Sequence, residues 1–214
     1  MILTFHTRRE RRRYFTRSFF LAALLCGGCA GLKQCAYEGL SREEWQQPEK
    51  VIASLQIRSG DNIADLGAGS GYFTFLLAQA AGPTGKVYAV DIDPDMTSLV
   101  ARKATERGAK NVEVILANPD DPSLPKGNLD LVFTANTYHH IENRVGYFAA
   151  LRKALRPRGR VAVIDYDRRS WIIGVLSHYT PPELIKREME QASYRLAREF
   201  DFLDRQSFLL FEAR

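Results

Sequence analysis

The sequence predicts an α/β fold in which a mostly parallel, doubly wound sheet is covered by helices on both faces and has one antiparallel edge strand. Three observations predict it. From residue 48 onward, short apolar runs of strand length alternate with amphipathic runs of helix length, the pattern of repeated βα units. A glycine-rich turn, "ADLGAGSGYFT" at 64–74, joins the first such strand to its helix. The last two strand-like runs, 194–203 and 207–212, follow each other with no helix between them, so they pair as an antiparallel hairpin.

The elements follow in order. In "SREEWQQPEKVIASL" Ser41 stands three residues before Glu44, the spacing of a capping box. Pro48 then restarts a helix whose apolar face is Val51, Ile52 and Leu55. "NIADL" (62–66) reads as a strand and "YFTFLLAQA" (72–80) as a helix. "KVYAVDI" (86–92) is a strand, with a helix from Pro94 to Arg107. "NVEVILA" (111–117) and "LDLVFTA" (129–135) are strands, and "ENRVGYFAALRKAL" (142–155) is a helix. "RVAVIDY" (160–166) is a strand, and "PPELIKREMEQA" (181–192) a helix with proline in its first turn.

The chain has 214 residues, 45% hydrophobic and 26% charged, enough for one well-packed domain. Its formal charge of +5 is local. Residues 1–30 carry six arginines (8, 9, 11, 12, 13 and 17) against Glu10, and the remainder carries 24 basic and 24 acidic residues. A neutral body excludes nucleic acid as an electrostatically recruited partner. The first thirty residues read as a leader: the basic "TRRERRRYFTRS" is followed by the apolar "FFLAALLCGGCAG", the layout of a secretory signal and short for a membrane span. Arg12-Arg13-Tyr14-Phe15 with Arg17 is similar to a twin-arginine export pattern, and "LLCGGC" to a lipobox with Cys29 as the lipidated residue. The expectation is export or membrane attachment through residues 1–30, a linker over 31–40 and a domain over 41–214, with a cytoplasmic protein as the alternative. Cys26 and Cys29 have no second ligand pair, so no metal site is expected.

Gly67, Gly69 and Gly71 lie where a doubly wound sheet binds its ligand, beyond the carboxyl end of the first strand. Glycines there permit positive φ and let a ligand approach main-chain N–H groups. Asp91, 24 residues after Gly67, ends the next strand, placed to accept hydrogen bonds from a ribose. The dinucleotide fingerprint asks for a third small residue where this chain has Tyr72, and no Gly-Lys-Ser/Thr follows to make a phosphate loop. Asp65, two residues before the first glycine, would repel a pyrophosphate and suits a cation. The balance favours S-adenosylmethionine (SAM), with its sulfonium and ammonium charges.

"ADLGAGSGYFT", "VYAVDIDPDM", "NLDLVFTANTYHHI" and "ALRPRGRVAVIDY" together resemble, in order and spacing, the motifs of class I SAM-dependent methyltransferases, particularly the ubiquinone/menaquinone C-methyltransferase-like group. The likeness covers roughly residues 45–214. It implies a Rossmann-like seven-stranded sheet of order 3-2-1-4-5-7-6. It also implies that Asp65 and the Gly67–Gly71 loop hold the methionine end, that Asp91 binds the ribose hydroxyls, and that Asn118 faces the adenine where the family commonly has aspartate. Arg158 replaces one glycine of the usual Pro-Gly-Gly turn.

Methyl transfer from a sulfonium is an in-line displacement in which positioning supplies much of the rate, and a base is needed only if the nucleophile arrives protonated. Residues after the fourth and fifth strands should face a small-molecule acceptor: Asn136, Tyr138 and Tyr166 as binding residues, with His139, His140 and Asp165 as candidate catalytic groups. His178 is a candidate lid residue. Two other readings stay open: a SAM-binding protein without turnover, and a nucleotide-linked oxidoreductase, which the missing third glycine disfavours.

Overall fold

The computed structural model describes residues 42–168 and 179–214. Residues 1–30 and 31–40, expected to be a leader and a linker, lie outside the described residues, as do Ser41 and His178. Helix α1 (Arg42–Gln46) and helix α2 (Pro48–Leu55) precede seven strands: β1 (Asn62–Leu66), β2 (Lys86–Asp91), β3 (Val112–Leu116), β4 (Leu129–Ala135), β5 (Leu155–Tyr166), β6 (Tyr194–Phe200) and β7 (Gln206–Ala213). Between them run α3 (Tyr72–Ala81), α4 (Pro94–Glu106), α5 (Arg144–Leu151) and α6 (Pro182–Gln191), with 3₁₀ turns at Tyr138–His140 and Arg152–Ala154.

The strands form one sheet of order β3-β2-β1-β4-β5-β7-β6. β1 to β5 pair in parallel, and β7 runs antiparallel to both β5 and β6. The antiparallel element is therefore the β6–β7 hairpin at that edge, with β7 inside it. Side-chain alternation explains the two covered faces. Ala64, Leu66, Tyr88, Val90, Val132, Val161 and Val163 point to one core, closed by Phe148 and Leu151 of α5 and Ile185 and Met189 of α6. Ile63, Val87, Leu131, Phe133, Ala162 and Ile164 point to the other, closed by Val51 and Leu55 of α2 and Phe73 and Leu77 of α3. The central strands are buried on both sides, which is why they read as continuous apolar runs.

Several boundaries have local causes. Pro48 starts α2 because a missing N–H is tolerated in a first turn. Asp93 caps α4, its side chain accepting the Asp95 N–H at 2.9 Å. The helix expected over 142–155 is shorter: Asn143 caps it, and it tightens to 3₁₀ geometry at Arg152–Ala154 before β5. β5 begins earlier than the apolar pattern suggests, because it includes the bent Pro157-Arg158-Gly159 stretch before its regular pairing with β4 resumes at Arg160. Arg158 there has φ +67, so a non-glycine residue occupies a left-handed position.

Candidate active site

The glycine turn leaves the carboxyl end of β1 and meets the carboxyl ends of β2 and β4. Gly67 has φ +76, and a Cβ there would stand 2.1 Å from the Thr137 hydroxyl. Gly71 has φ +82, and a Cβ there would meet the Phe75 ring at 2.9 Å. These glycines are thus required by the chain's own packing. The expectation that they present N–H groups to a ligand is corrected by the hydrogen bonding. Gly67 and Ala68 donate to the Val90 carbonyl at 2.8 and 3.0 Å, and Gly71 donates to the Ala68 carbonyl at 2.9 Å. Gly69 donates to the Asp91 carboxylate at 2.7 Å. Four of the turn's donors are satisfied internally.

Two carboxylates lie against this turn. Asp65 is 2% exposed and accepts the Thr74 hydroxyl at 2.6 Å. Burial pushes its pKa up to about 7, with Asp91 adding to the rise while the Thr74 bond and Arg42 oppose it. Asp91 accepts the Gly69 N–H through one oxygen and the Asp93 N–H through the other at 2.9 Å. A carboxylate has about four lone-pair sites, so each oxygen retains capacity for a ribose hydroxyl. Ile92 directly follows and is 59% exposed. Ala117 N–H donates to the Asp91 carbonyl at 2.9 Å, which brings the exposed Asn118 beside this position.

On the neighbouring side, after β4, Asn136 adopts a left-handed φ of +58, and its side-chain oxygen accepts from Gln206. Gln206 in turn accepts from Gln46 of α1 at 3.2 Å. His139 Nδ1 lies 2.7 Å from Asp165 Oδ1, and the exposed His140 ring stands 4.0 Å from that of His139. Tyr166 stacks on Trp45 at 6.1 Å between ring centroids. Tyr138 is the exception among the expected substrate contacts. It is fully buried, stacks on Phe148 at 5.2 Å and donates to Glu188 at 2.9 Å. Its place in the 3₁₀ turn sends it into the helix layer, so its role is structural.

Sequence reasoning missed several groups here: Ile92, Thr137 and the α1 residues Arg42, Trp45 and Gln46. The Arg42 guanidinium sits 4.0 Å over the Tyr72 ring. Ile92 was readable as an apolar residue leaving a buried strand, whereas the placement of α1 depends on tertiary packing. Among the described residues, no group of three or more His, Cys, Asp or Glu is arranged to hold a metal ion.

Residues 57–201 match the family model of a methyltransferase domain. The chain belongs to that family. It is 27% identical over 121 residues to the ubiquinone/menaquinone biosynthesis C-methyltransferase UbiE of Francisella tularensis subsp. novicida, covering 56% of this chain and 48% of the relative. It is 32% identical over 131 residues to nocamycin O-methyltransferase of Saccharothrix syringae, covering 59% and 47%. The chain spans about half the length of the curated relatives it matches. A crystal structure of a SAM-dependent methyltransferase from Aquifex aeolicus is similar with a TM-score of 0.73 and 26% identity, over 84% of this chain and 96% of that one. The sheet order implied by the motif resemblance is the order found. The methyltransferase domain is thus assigned on sequence and architecture together.

Proposed function

We propose that residues 41–214 transfer a methyl group from SAM to a small-molecule acceptor. One observation carries this reading over a phosphate-bearing cofactor: two carboxylates lie against the turn, four of whose N–H groups are spent inside the chain. An anion would meet the Asp91 carboxylate and, above about pH 7, that of Asp65 as like charges; a sulfonium or ammonium finds favourable charge. The residues present fit SAM. Asp91 would take the ribose hydroxyls, Ile92 would lie against the adenine, and Asn118 would meet its edge. Asp65 would act on the methionine end as a charge beneath Gly67–Gly71.

When bound, SAM supplies an activated methyl group on a positively charged sulfur. The chain supplies the rest. Gly67 and Thr137, in contact, fix the turn against the end of β4, and Asn136, His139 and Tyr166 offer polar and aromatic surface to an acceptor. We propose further that residues 1–30 direct export or membrane attachment, with Cys29 as the site of lipidation; the arginine cluster, apolar run and small residues support this. The test of the enzymatic reading is incubation of the full chain with methyl-labelled SAM and a metabolite extract. Labelled product that disappears in Asp91→Ala is expected. SAM bound tightly with no labelled product would point to a binding protein without turnover.

A further inference from the structure

At the end of the sheet opposite the glycine turn, a groove of about 930 Å³ opens between the amino ends of β1 and β2 and the carboxyl ends of α3 and α4. Lys86 starts β2 at the groove and Asp91 ends it at the turn, so steps of about 3.3 Å per residue set the two places about 17 Å apart. The groove is lined by Lys86, Arg107 and Lys110 and, among the described residues, by no carboxylate. Lys86 is neutralised from outside it by Glu113 at 2.9 Å. The other two cations are not. They flank Gly108 on an exposed turn, and among the described residues neither side chain has a hydrogen bond or an ion pair. The Arg107 guanidinium stands 4.3 Å over the Phe75 ring, while Glu106, the acid beside it, faces Arg102 at 3.8 Å.

The chain has no internal use for these charges. Cations are often held by the negative carboxyl end of a helix, but here those ends are covered. The last carbonyls of α4 accept the N–H groups of Arg107, Gly108 and Ala109 at 3.0, 3.1 and 2.9 Å. After α3, the Asn111 amide donates to the Ala78 and Gly82 carbonyls at 2.8 and 2.9 Å. The groove also holds an unused donor. Tyr88 is 6% exposed and its hydroxyl accepts from the Asn128 amide at 3.1 Å, which leaves its own O–H without an acceptor among the described residues. Phe75 and Ala78 add apolar wall. Like charges gathered in a concave site attract an anion, and the volume lies in the range of small-molecule pockets.

We propose that this groove is a second ligand site, for a phosphate monoester carried on an organic group. Two uncompensated cations call for two negative charges, and a phosphate monoester carries roughly two near neutral pH. Arg107 offers a planar fork and Lys110 a point charge to its oxygens. The Tyr88 O–H and the Phe75 ring face the group that carries it. The same chemistry is presented by a soluble ester such as glycerol 3-phosphate and by the headgroup of phosphatidic acid. The site does not rest on the methyltransferase reading.

The test uses the full chain in two arms: calorimetry with glycerol 3-phosphate, and co-sedimentation with phosphatidylcholine vesicles carrying phosphatidic acid. Binding in at least one arm is expected, weakening as salt is added and falling by about tenfold or more in the double variant Arg107→Gln, Lys110→Gln. Loss in the first arm assigns a soluble ester, and loss confined to the second assigns the lipid headgroup. Residues 1–30 are common to parent and variant, so only the difference between the two is read. An unchanged thermal melt shows that the variant is folded. Saturation with S-adenosylhomocysteine should leave the binding intact. No binding in either arm, binding undiminished in the double variant, or displacement by S-adenosylhomocysteine overturns the proposal.

Discussion

At the scale of residues, the two acids under the glycine turn make opposite demands on the fold and on the ligand. The Asp65 carboxyl, raised by burial from an ordinary 3.8 to about 7, is held above its unfolded value. Its contribution therefore favours folding least at high pH: the cost grows as pH rises from about 4 and is complete above about 7. Asp65→Asn should stabilise the ligand-free chain in urea melts at about pH 8 and weaken SAM there, and do little of either at about pH 4, where the parent carboxyl is already protonated. Asp91 differs because its carboxylate also anchors the Gly69 and Asp93 N–H groups. Asp91→Ala should weaken SAM by at least about tenfold and lower stability as well. Asp93→Ala should cost about 0.5–2 kcal/mol of stability as a lost cap, with SAM affinity nearly intact. Arg158 is a simpler case. Its left-handed φ of +67 makes Arg158→Gly a stabilising change, by about 0.5–1 kcal/mol in a thermal melt; a loss would mean that the arginine side chain holds the turn.

At the scale of elements, Glu188 ties the 3₁₀ turn after β4 and helix α5 to helix α6, accepting from Tyr138 at 2.9 Å and from Arg144 at 2.7 and 2.8 Å. Burial alone would raise its carboxyl, but those bonds outweigh burial and hold it below its ordinary value. Its stabilisation is therefore present above the unfolded value and is lost as pH falls through the folded one. Glu188→Gln should lower stability at about pH 7 and flatten the acid side of the stability curve, measured by urea melts down to about pH 3. An unchanged acid limb would place the network's strength elsewhere. The elements themselves were legible because doubly buried strands read as unbroken apolar runs: β1 and β4 match their expected spans residue for residue. The glycine turn and Asp91 were legible for the same local reason, that backbone sign and strand ends follow from residue type. What escaped were properties fixed by packing. Tyr138 looks like its neighbours in sequence but turns inward, the N–H groups of Gly67, Ala68 and Gly69 point at Val90 and Asp91, and α1 reaches the site through Trp45 and Gln46 from outside the βα repeat.

At the scale of the whole molecule, the proposed export role of residues 1–30 rests on their six arginines and apolar run, while the rest of the sequence is formally neutral. Fractionation of cells expressing a tagged full chain should place it with the membrane or outside the cytoplasm, and Cys29→Ser should abolish fatty-acid labelling; a soluble product with an intact N-terminus would contradict this. The central claim is that the glycine turn, flanked by two carboxylates and with four of its own donors spent, holds SAM. Calorimetry of the folded full chain with SAM, S-adenosylhomocysteine and NAD tests it most directly. Micromolar binding of the first two is expected, roughly −8 kcal/mol, with SAM affinity falling as pH drops below about 7 because Asp65 must lose its proton, and no measurable heat with NAD. The opposite order, NAD bound and neither of the others, or no heat and no thermal shift with any of the three, would contradict the account.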